Sequence, residues 1–192
     1  MAFPEPGAEA PAFSLSDQDD NEVSLAGQAG KWVVLYFYPR DDTPGCTKEA
    51  CNFRDNHAAI QAAGAVVLGV SGDSTASHGK FAQKYSLPFS LLADDGNKVA
   101  RAYGAWGEKK NYGKTYEGII RSTVIIGPDG KVAKVWKSVK PDGHGEQVLE
   151  WLRANAKYDA SASSPVVRPA GRMTAIFPGE AKPLCHCSTA NE

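Results

Sequence analysis

Short apolar runs alternate along the chain with a longer stretch of helical period. The run from Lys31 to Tyr38 is rich in β-branched and aromatic side chains, which is typical of a strand buried on both faces. From Pro44 to about Ala63, apolar positions recur at steps of three and four and predict a helix. The residues on this stripe are Cys46, Ala50, Phe53, His57 and Ile60. A second buried strand is predicted at Val66–Val70, so the three segments form a βαβ unit with parallel strands.

Turn residues divide the remaining apolar segments into hairpins, helices and one strand. In chain order they are a hairpin over 13–24, a helix over 74–85, a strand over 87–92, a helical turn over 99–103, a hairpin of 122–126 with 131–136, and a helix over 145–156. A βαβ unit followed by a ββα unit predicts an α/β fold, in which helices flank a mixed central sheet.

Composition indicates a folded domain with an appended tail. The chain has 192 residues, of which 42% are hydrophobic and 22% are charged, as in ordinary globular proteins. We place the domain at residues 1–158. Residues 159–192 contain four prolines and only two short apolar pieces, which predicts a flexible tail without a core of its own.

Charge and hydropathy argue against several classes of protein. The 21 basic and 22 acidic residues give a net charge of −1, whereas nucleic-acid binders usually carry a basic excess. No apolar run approaches the roughly 18 residues of a membrane span. The first residues show neither the basic start nor the apolar core of a secretory signal. We therefore expect a cytoplasmic protein that binds neither nucleic acid nor membrane.

The cysteines form two close pairs, Cys46 with Cys51 and Cys185 with Cys187. In a reducing compartment such pairs indicate redox chemistry or metal binding. His186 lies between the last two cysteines, but zinc-binding cysteines are usually separated by two or more residues and no fourth ligand is evident. We favour incidental thiols in a tail and expect no metal or cofactor, although an extra resolving thiol in the tail stays an alternative.

Cys46 falls in the first turn of the predicted helix, where Thr43 is the expected N-cap and Pro44 the first helical residue. Unpaired N–H groups and the helix dipole favour an anion there, so the position stabilises a nucleophilic thiolate. A small buried cysteine without reactivity is equally compatible with this position.

A resemblance to a known family separates these two interpretations. Pro39, Thr43 and Cys46 match the motif P-x-x-x-T-x-x-C of peroxiredoxins. The stretch T-P-G-C-T-K-E-A-C, with F-R-D and G-I-I-R-S-T-V-I-I-G-P-D-G-K further on, resembles the bacterioferritin-comigratory, or Q-type, branch. The resemblance covers about residues 5–157. It implies a thioredoxin-like fold and a thiol peroxidase that reduces hydrogen peroxide and organic hydroperoxides.

The resemblance also implies roles for individual residues. Cys46 would be the attacking thiolate that becomes a sulfenic acid. Arg121 would place a positive charge beside the thiolate and the peroxide, and Glu49 would orient that arginine. Thr43 would offer a hydroxyl, and Pro39 would shield the thiolate from water. A surface arginine on a strand and an ordinary helix cap are the simpler alternatives for Arg121 and Thr43.

In this family a cysteine at the position of Cys51 is the resolving thiol of an intramolecular disulfide. Five residues of helix rise about 7.5 Å and turn about 140°. A disulfide needs Cα atoms within about 7 Å and facing side chains. The start of the helix must therefore unwind after oxidation. The alternative is that Cys51 is a helix cysteine on the outer face.

The implied partners are a peroxide and thioredoxin or a similar dithiol protein, and we expect a monomer. A thiol–disulfide oxidoreductase without peroxidase activity is a second hypothesis, although the C-x-x-C motif is missing. A redox-sensing or metal-carrying module built on the tail cysteines is a third. Peroxide consumption coupled to thioredoxin separates the first hypothesis from both others.

The remaining polar residues are interpreted as structural. We expect His57 to be packed or half-exposed and not a ligand, and His78 and His144 to be solvated. Lys109 and Lys110, near Lys114, are interpreted as a solvated loop.

Overall fold

A seven-stranded mixed sheet organises the computed structural model, which describes residues 2–111 and 114–156. In chain order the strands are β1 (Ser14–Ser16), β2 (Glu22–Ser24), β3 (Trp32–Phe37), β4 (Ala65–Ser71), β5 (Ser90–Ala93), β6 (Trp106–Asn111), β7 (Lys114–Ile119), β8 (Ser122–Ile126) and β9 (Val132–Trp136). The helices are α1 (Pro44–Ala62), α2 (Thr75–Tyr85), α3 (Lys98–Ala102) and α4 (His144–Asn155). The proposed tail, with Cys185 and Cys187, lies outside the described residues.

The sheet has the order β2-β1-β5-β4-β3-β8-β9. β3 lies near its centre, parallel to β4 and antiparallel to β8. The βαβ unit, the ββα unit and the α/β class with a mixed sheet are thus confirmed. None of the helices in the described ranges is long and apolar enough to cross a membrane.

Alternate side chains of β3 enter two separate apolar clusters, one on each face of the sheet. Val34 and Tyr36 pack with the buried faces of α1, α2 and α4. Val33 and Leu35 pack in the opposite cluster, which includes residues of α3. Because β3 is buried on both faces, its position in the sheet is strongly constrained. The same packing therefore constrains where the connection to α1 starts.

The sequence did not predict the hairpin of β6 and β7, and the interpretation of Lys109 as part of a solvated loop is wrong. Lys109 lies in β6, paired with Tyr116 of β7, and its side chain is half-buried. The segment is rich in charged residues and glycine and lacks a clean alternation of apolar and polar positions, so its strands carry no local signal.

His78 and His144 were predicted to be solvated, and the structure shows both to be buried, at 0% and 1% exposure. Each ring finds a hydrogen-bond partner far along the chain, Asp41 for His78 and Thr123 for His144, both at 2.8 Å. A polar side chain is buried readily once it is paired, and such pairing leaves no trace in a local period. His57 is buried on the α1 stripe, as the packed interpretation predicted.

The start of α4 packs tightly against α1 at Gly145. The backbone N–H of Gly145 donates to Asn52 Oδ1. A Cβ at Gly145 would lie only 2.8 Å from the backbone oxygen of Asn52, closer than real Cβ contacts. A glycine at this position therefore sets how closely the two helices approach.

Gly145→Ala should lower the free energy of unfolding by about 1–3 kcal/mol, because an overpacked backbone contact forces α4 away from α1. Gly79→Ala is the matched control. Its Cβ would meet nothing closer than 3.6 Å, so we expect a stabilisation of about 0.5–1 kcal/mol from the better helix former. Urea denaturation measures both changes, and equal stabilities of the two variants would contradict the packing argument.

Candidate active site

The connection from β3 to α1 places Cys46 at the start of a helix. Thr43 is the N-cap residue and Pro44 is the first helical residue, as predicted. The Thr43 hydroxyl does not cap the helix but donates to the carbonyl of Arg40 at 3.2 Å. Cys46 is buried, with 2% of its surface exposed. Its sulfur therefore lies in the first turn of α1, where the helix dipole favours negative charge.

Arg121, directly before β8, reaches across to this sulfur. Its Nη2 donates to Cys46 Sγ over 3.1 Å, and its Nη1 donates to Glu49 Oε2. Glu49 follows Cys46 by three residues on α1, so both side chains lie on the same face of the helix. A Cβ at Gly45 would lie 3.3 Å from Arg121 Nη2, so the guanidinium lies directly against the backbone of the first turn.

The Glu49–Arg121 pair is largely shielded from water. Glu49 is fully buried, and burial raises the pKa of its carboxyl group from 4.5 to about 7, against the opposing effect of Arg121. Burial disfavours the charge of Arg121, but Glu49 and Cys46 outweigh it and raise the arginine pKa. Among the described residues, Glu49 Oε1 has no hydrogen-bond partner. The hydrogen bond from Arg121 Nη1 to the buried carboxyl group of Glu49 orients the guanidinium.

Aromatic side chains belong to the same buried cluster as Cys46. Tyr36 stacks on Phe53 of α1, with ring centroids 4.8 Å apart. Burial, followed by the charges of Glu49 and Cys46, raises the pKa of Tyr36 well above 10.0. His144 also lies near, and burial, reinforced by Arg121, lowers its pKa to about 4. His144 is therefore neutral at pH 7, so it adds no positive charge to the site.

The fold brings three of the predicted site residues into direct contact and leaves the other three nearby along the chain. Cys46, Glu49 and Arg121 form one contact group. Pro39 and Thr43 lie in the connection between β3 and α1, both half-buried. Cys51 is a half-buried thiol farther along the same regular helix.

A buried polar network next to the site escaped sequence reasoning. Asp41 accepts hydrogen bonds from Tyr38 and Ser77, both at 2.7 Å, and contacts His78. Burial alone would raise the pKa of Asp41, but these hydrogen bonds, led by that with His78, lower it. The network ties the connection between β3 and α1 to α2. Ser77 and His78 lie 36 and 37 residues after Asp41 in the sequence, so no local signal for their contacts was available.

The chain is similar to known proteins over most of its length. The sequence matches the AhpC/TSA family over residues 6–135. A putative peroxiredoxin of the bcp type from Coxiella burnetii is 50% identical over 145 residues, 76% of this chain and 96% of the relative. Peroxiredoxin Bcp of Bacillus subtilis is 48% identical over 147 residues, 77% of this chain and 94% of the relative.

A solved structure from Xanthomonas campestris is also similar. It belongs to a study of the alkyl peroxide reduction activity of that organism's bacterioferritin comigratory protein, through trapped intermediate and ligand complexes. It is 40% identical, with a TM-score of 0.74, and the match covers 81% of this chain and 99% of that one.

The buried Glu49 predicts a pH-dependent stability. Its folded-state pKa is raised, so the group's contribution to stability is fully present below pH 4.5 and is lost as pH rises through about 7. Between pH 5 and 8, the free energy of unfolding of the wild type should fall relative to that of Glu49→Gln by about 1–3 kcal/mol. Denaturant titrations across this range measure the difference. A constant difference would contradict the raised pKa.

Proposed function

The chain belongs to the AhpC/TSA family as a peroxiredoxin of the Bcp and PrxQ type, a thiol peroxidase, and we propose that Cys46 is its peroxide-reducing thiolate. The observation that carries this assignment is the 3.1 Å contact between Arg121 Nη2 and Cys46 Sγ at the start of α1. A cation and a helix N-terminus together stabilise the thiolate, which is the nucleophilic form of cysteine.

In the first step, the Cys46 thiolate attacks one oxygen of a hydroperoxide. The S–O bond forms while the O–O bond breaks, Cys46 becomes a sulfenic acid, and the departing alkoxide or hydroxide takes up a proton. Arg121 faces the developing negative charge with a guanidinium that Glu49 already orients, so little reorganisation is needed. Thr43 and Pro39 line the approach at the helix start, where the threonine hydroxyl can accept and donate hydrogen bonds.

In the second step, we assign Cys51 as the resolving thiol. Its sulfur attacks the sulfenic sulfur, a disulfide forms and water leaves. α1 is a regular helix from Pro44 to Ala62, so the two cysteines are about 7.5 Å apart along its axis and about 140° apart around it. The disulfide therefore requires the first turns of α1 to unwind.

The contacts around α1 favour an opening of limited extent. Before the helix, Asp42 accepts two hydrogen bonds from Lys84 at 2.7 and 2.9 Å, although this pair is itself exposed and therefore a weaker anchor. After Cys51, Arg54 Nη1 donates to the carbonyl of Tyr85 at 2.9 Å. Both contacts join α1 or its entry to the end of α2, and they flank the segment that must open. Within that segment, the salt bridge of Lys48 to Asp142 is largely exposed and therefore weak.

The third step regenerates the thiols. A dithiol protein such as thioredoxin would reduce the Cys46–Cys51 disulfide and become oxidised in turn. We place the cycle in the cytoplasm, where thiols are kept reduced, and we propose that the protein acts as a monomer. These assignments of donor, location and assembly rest on the family chemistry.

Cys46→Ser should abolish peroxide consumption, because a serine hydroxyl is not ionised at neutral pH and cannot replace the thiolate. The measurement is hydrogen peroxide reduction coupled to thioredoxin and its reductase. Cys51→Ser, assayed in a single turnover, should still consume one equivalent of peroxide. Wild-type turnover by Cys46→Ser would overturn the assignment of the nucleophile.

Peroxide should convert the reduced protein to a Cys46–Cys51 disulfide, identified as a linked peptide by mass spectrometry. Amide exchange over residues 44–52 should be faster in the oxidised form, while β3 and β4 stay protected. In Cys51→Ser the sulfenic acid should persist and react with a sulfenic-acid reagent. A disulfide from Cys46 to Cys185 or Cys187 would contradict the role of Cys51, and unchanged exchange would contradict unwinding.

A further inference from the structure

Lys109 is a cation that neither the sequence interpretation nor the mechanism above uses. It extends from β6 across the hairpin, and its Nζ donates to the carbonyl of Ile119 at 2.8 Å. Its stem passes Gly118, where a Cβ would lie 3.6 Å from Lys109 Cδ. Ile119 is the last residue of β7 and precedes Arg121 by two positions. The ammonium group therefore contacts the backbone that leads into the catalytic arginine.

Hydrogen bonds fix this short backbone segment on both sides. The N–H of Ile120 donates to the carbonyl of Ala105 at 2.8 Å. The N–H of Val139 donates to the carbonyl of Arg121 at 3.1 Å. Ile119 itself is buried, with 4% of its surface exposed. Lys109 thus adds a charge-assisted hydrogen bond to a segment that is already well ordered, and such bonds are stronger than neutral ones.

Lys109 also belongs to the electrostatic environment of the thiolate. Its side chain is half-buried. Burial and the like charge of Arg121 lower the lysine pKa, whereas Cys46 acts in the opposite direction.

We propose that Lys109 is a positioning residue of the peroxidase site, whose ammonium group holds the Ile119 carbonyl and so fixes the backbone that carries Arg121. The inference rests on the proposed role of Cys46. It assigns the hairpin of β6 and β7 a function, namely to carry this cation to the site. Lys109 acts through the backbone that leads into Arg121, without direct contact to the sulfur.

The test compares Lys109→Met, which keeps the aliphatic length, with Lys109→Arg, which keeps the charge. Lys31→Met is the control for the loss of one positive charge, because the exposed Lys31 precedes β3 at the end opposite to Cys46. Two quantities are measured. One is the stopped-flow rate constant for oxidation of Cys46 by hydrogen peroxide, and the other is the pH dependence of Cys46 alkylation by iodoacetamide, followed on its own peptide.

Lys109→Met should slow oxidation about tenfold, because the Ile119 carbonyl loses its charged donor and the backbone that carries Arg121 is held less firmly. It should also move the alkylation midpoint of Cys46 to higher pH. Lys109→Arg should restore both quantities, and Lys31→Met should leave both unchanged. Arg121→Ala, with an expected loss of at least about 100-fold, sets the scale for a direct contact.

Three results would overturn the proposal. They are wild-type oxidation by Lys109→Met, an alkylation midpoint that does not move, and an equal loss in Lys109→Arg, which would show that the charge is not the cause. The alkylation measurement needs no peroxide. A failure of the wild-type protein to consume peroxide would therefore count against the proposed function and leave the test of Lys109 standing.

Discussion

The contact of one guanidinium with both Cys46 and Glu49 constrains much of this fold. Arg121 directly precedes β8, whereas its two partners lie on the first turns of α1. A distance of 3.1 Å between the Arg121 nitrogen and the sulfur holds only if strand and helix are fixed relative to each other. β3 provides this link, because it pairs with β8 along five residues and leads directly into α1. Its burial on both faces makes the register of that pairing costly to change.

The proposed cycle requires the same site to be rigid in the reduced state and open in the oxidised state. Glu49 is desolvated in the reduced protein, and this burial disfavours its charged form. If α1 unwinds as far as Glu49, its carboxylate regains water, which offsets part of the lost interaction with Arg121. Gly45 in the first turn adds little to helix stability. A site can thus be held firmly by buried charges and still open locally at modest cost.

The local pattern of apolar and polar residues predicted those helices and strands in which buried residues form a continuous run or recur at a regular spacing. β3, α1 and β4 carry such patterns, and the position of Cys46 at a helix start follows from Thr43 and Pro44. The contact of Arg121 with Cys46 joins residues 75 positions apart, so it came only from the resemblance to a family. Lys109 and the buried His78 were missed because their environment is made by distant partners: the hairpin of β6 and β7 in one case and Asp41 in the other. The periodicity of apolar residues shows which face of a helix or strand is buried, but it does not show which residues of different elements pair with each other.

In the proposed cycle, the change of charge at Cys46 explains why oxidation loosens the start of α1. In the reduced state, the thiolate gives Arg121 a second anion beside Glu49, and the hydrogen bond to sulfur is charge-assisted. Attack on peroxide replaces the thiolate by a neutral sulfenic acid, so that this contact weakens while the Glu49–Arg121 pair remains. The first turn of α1 is then held less firmly than before, although no residue has yet moved. In the proposed cycle, oxidation itself therefore favours the unwinding that lets Cys51 reach Cys46, and reduction of the disulfide restores the charge that closes the helix again.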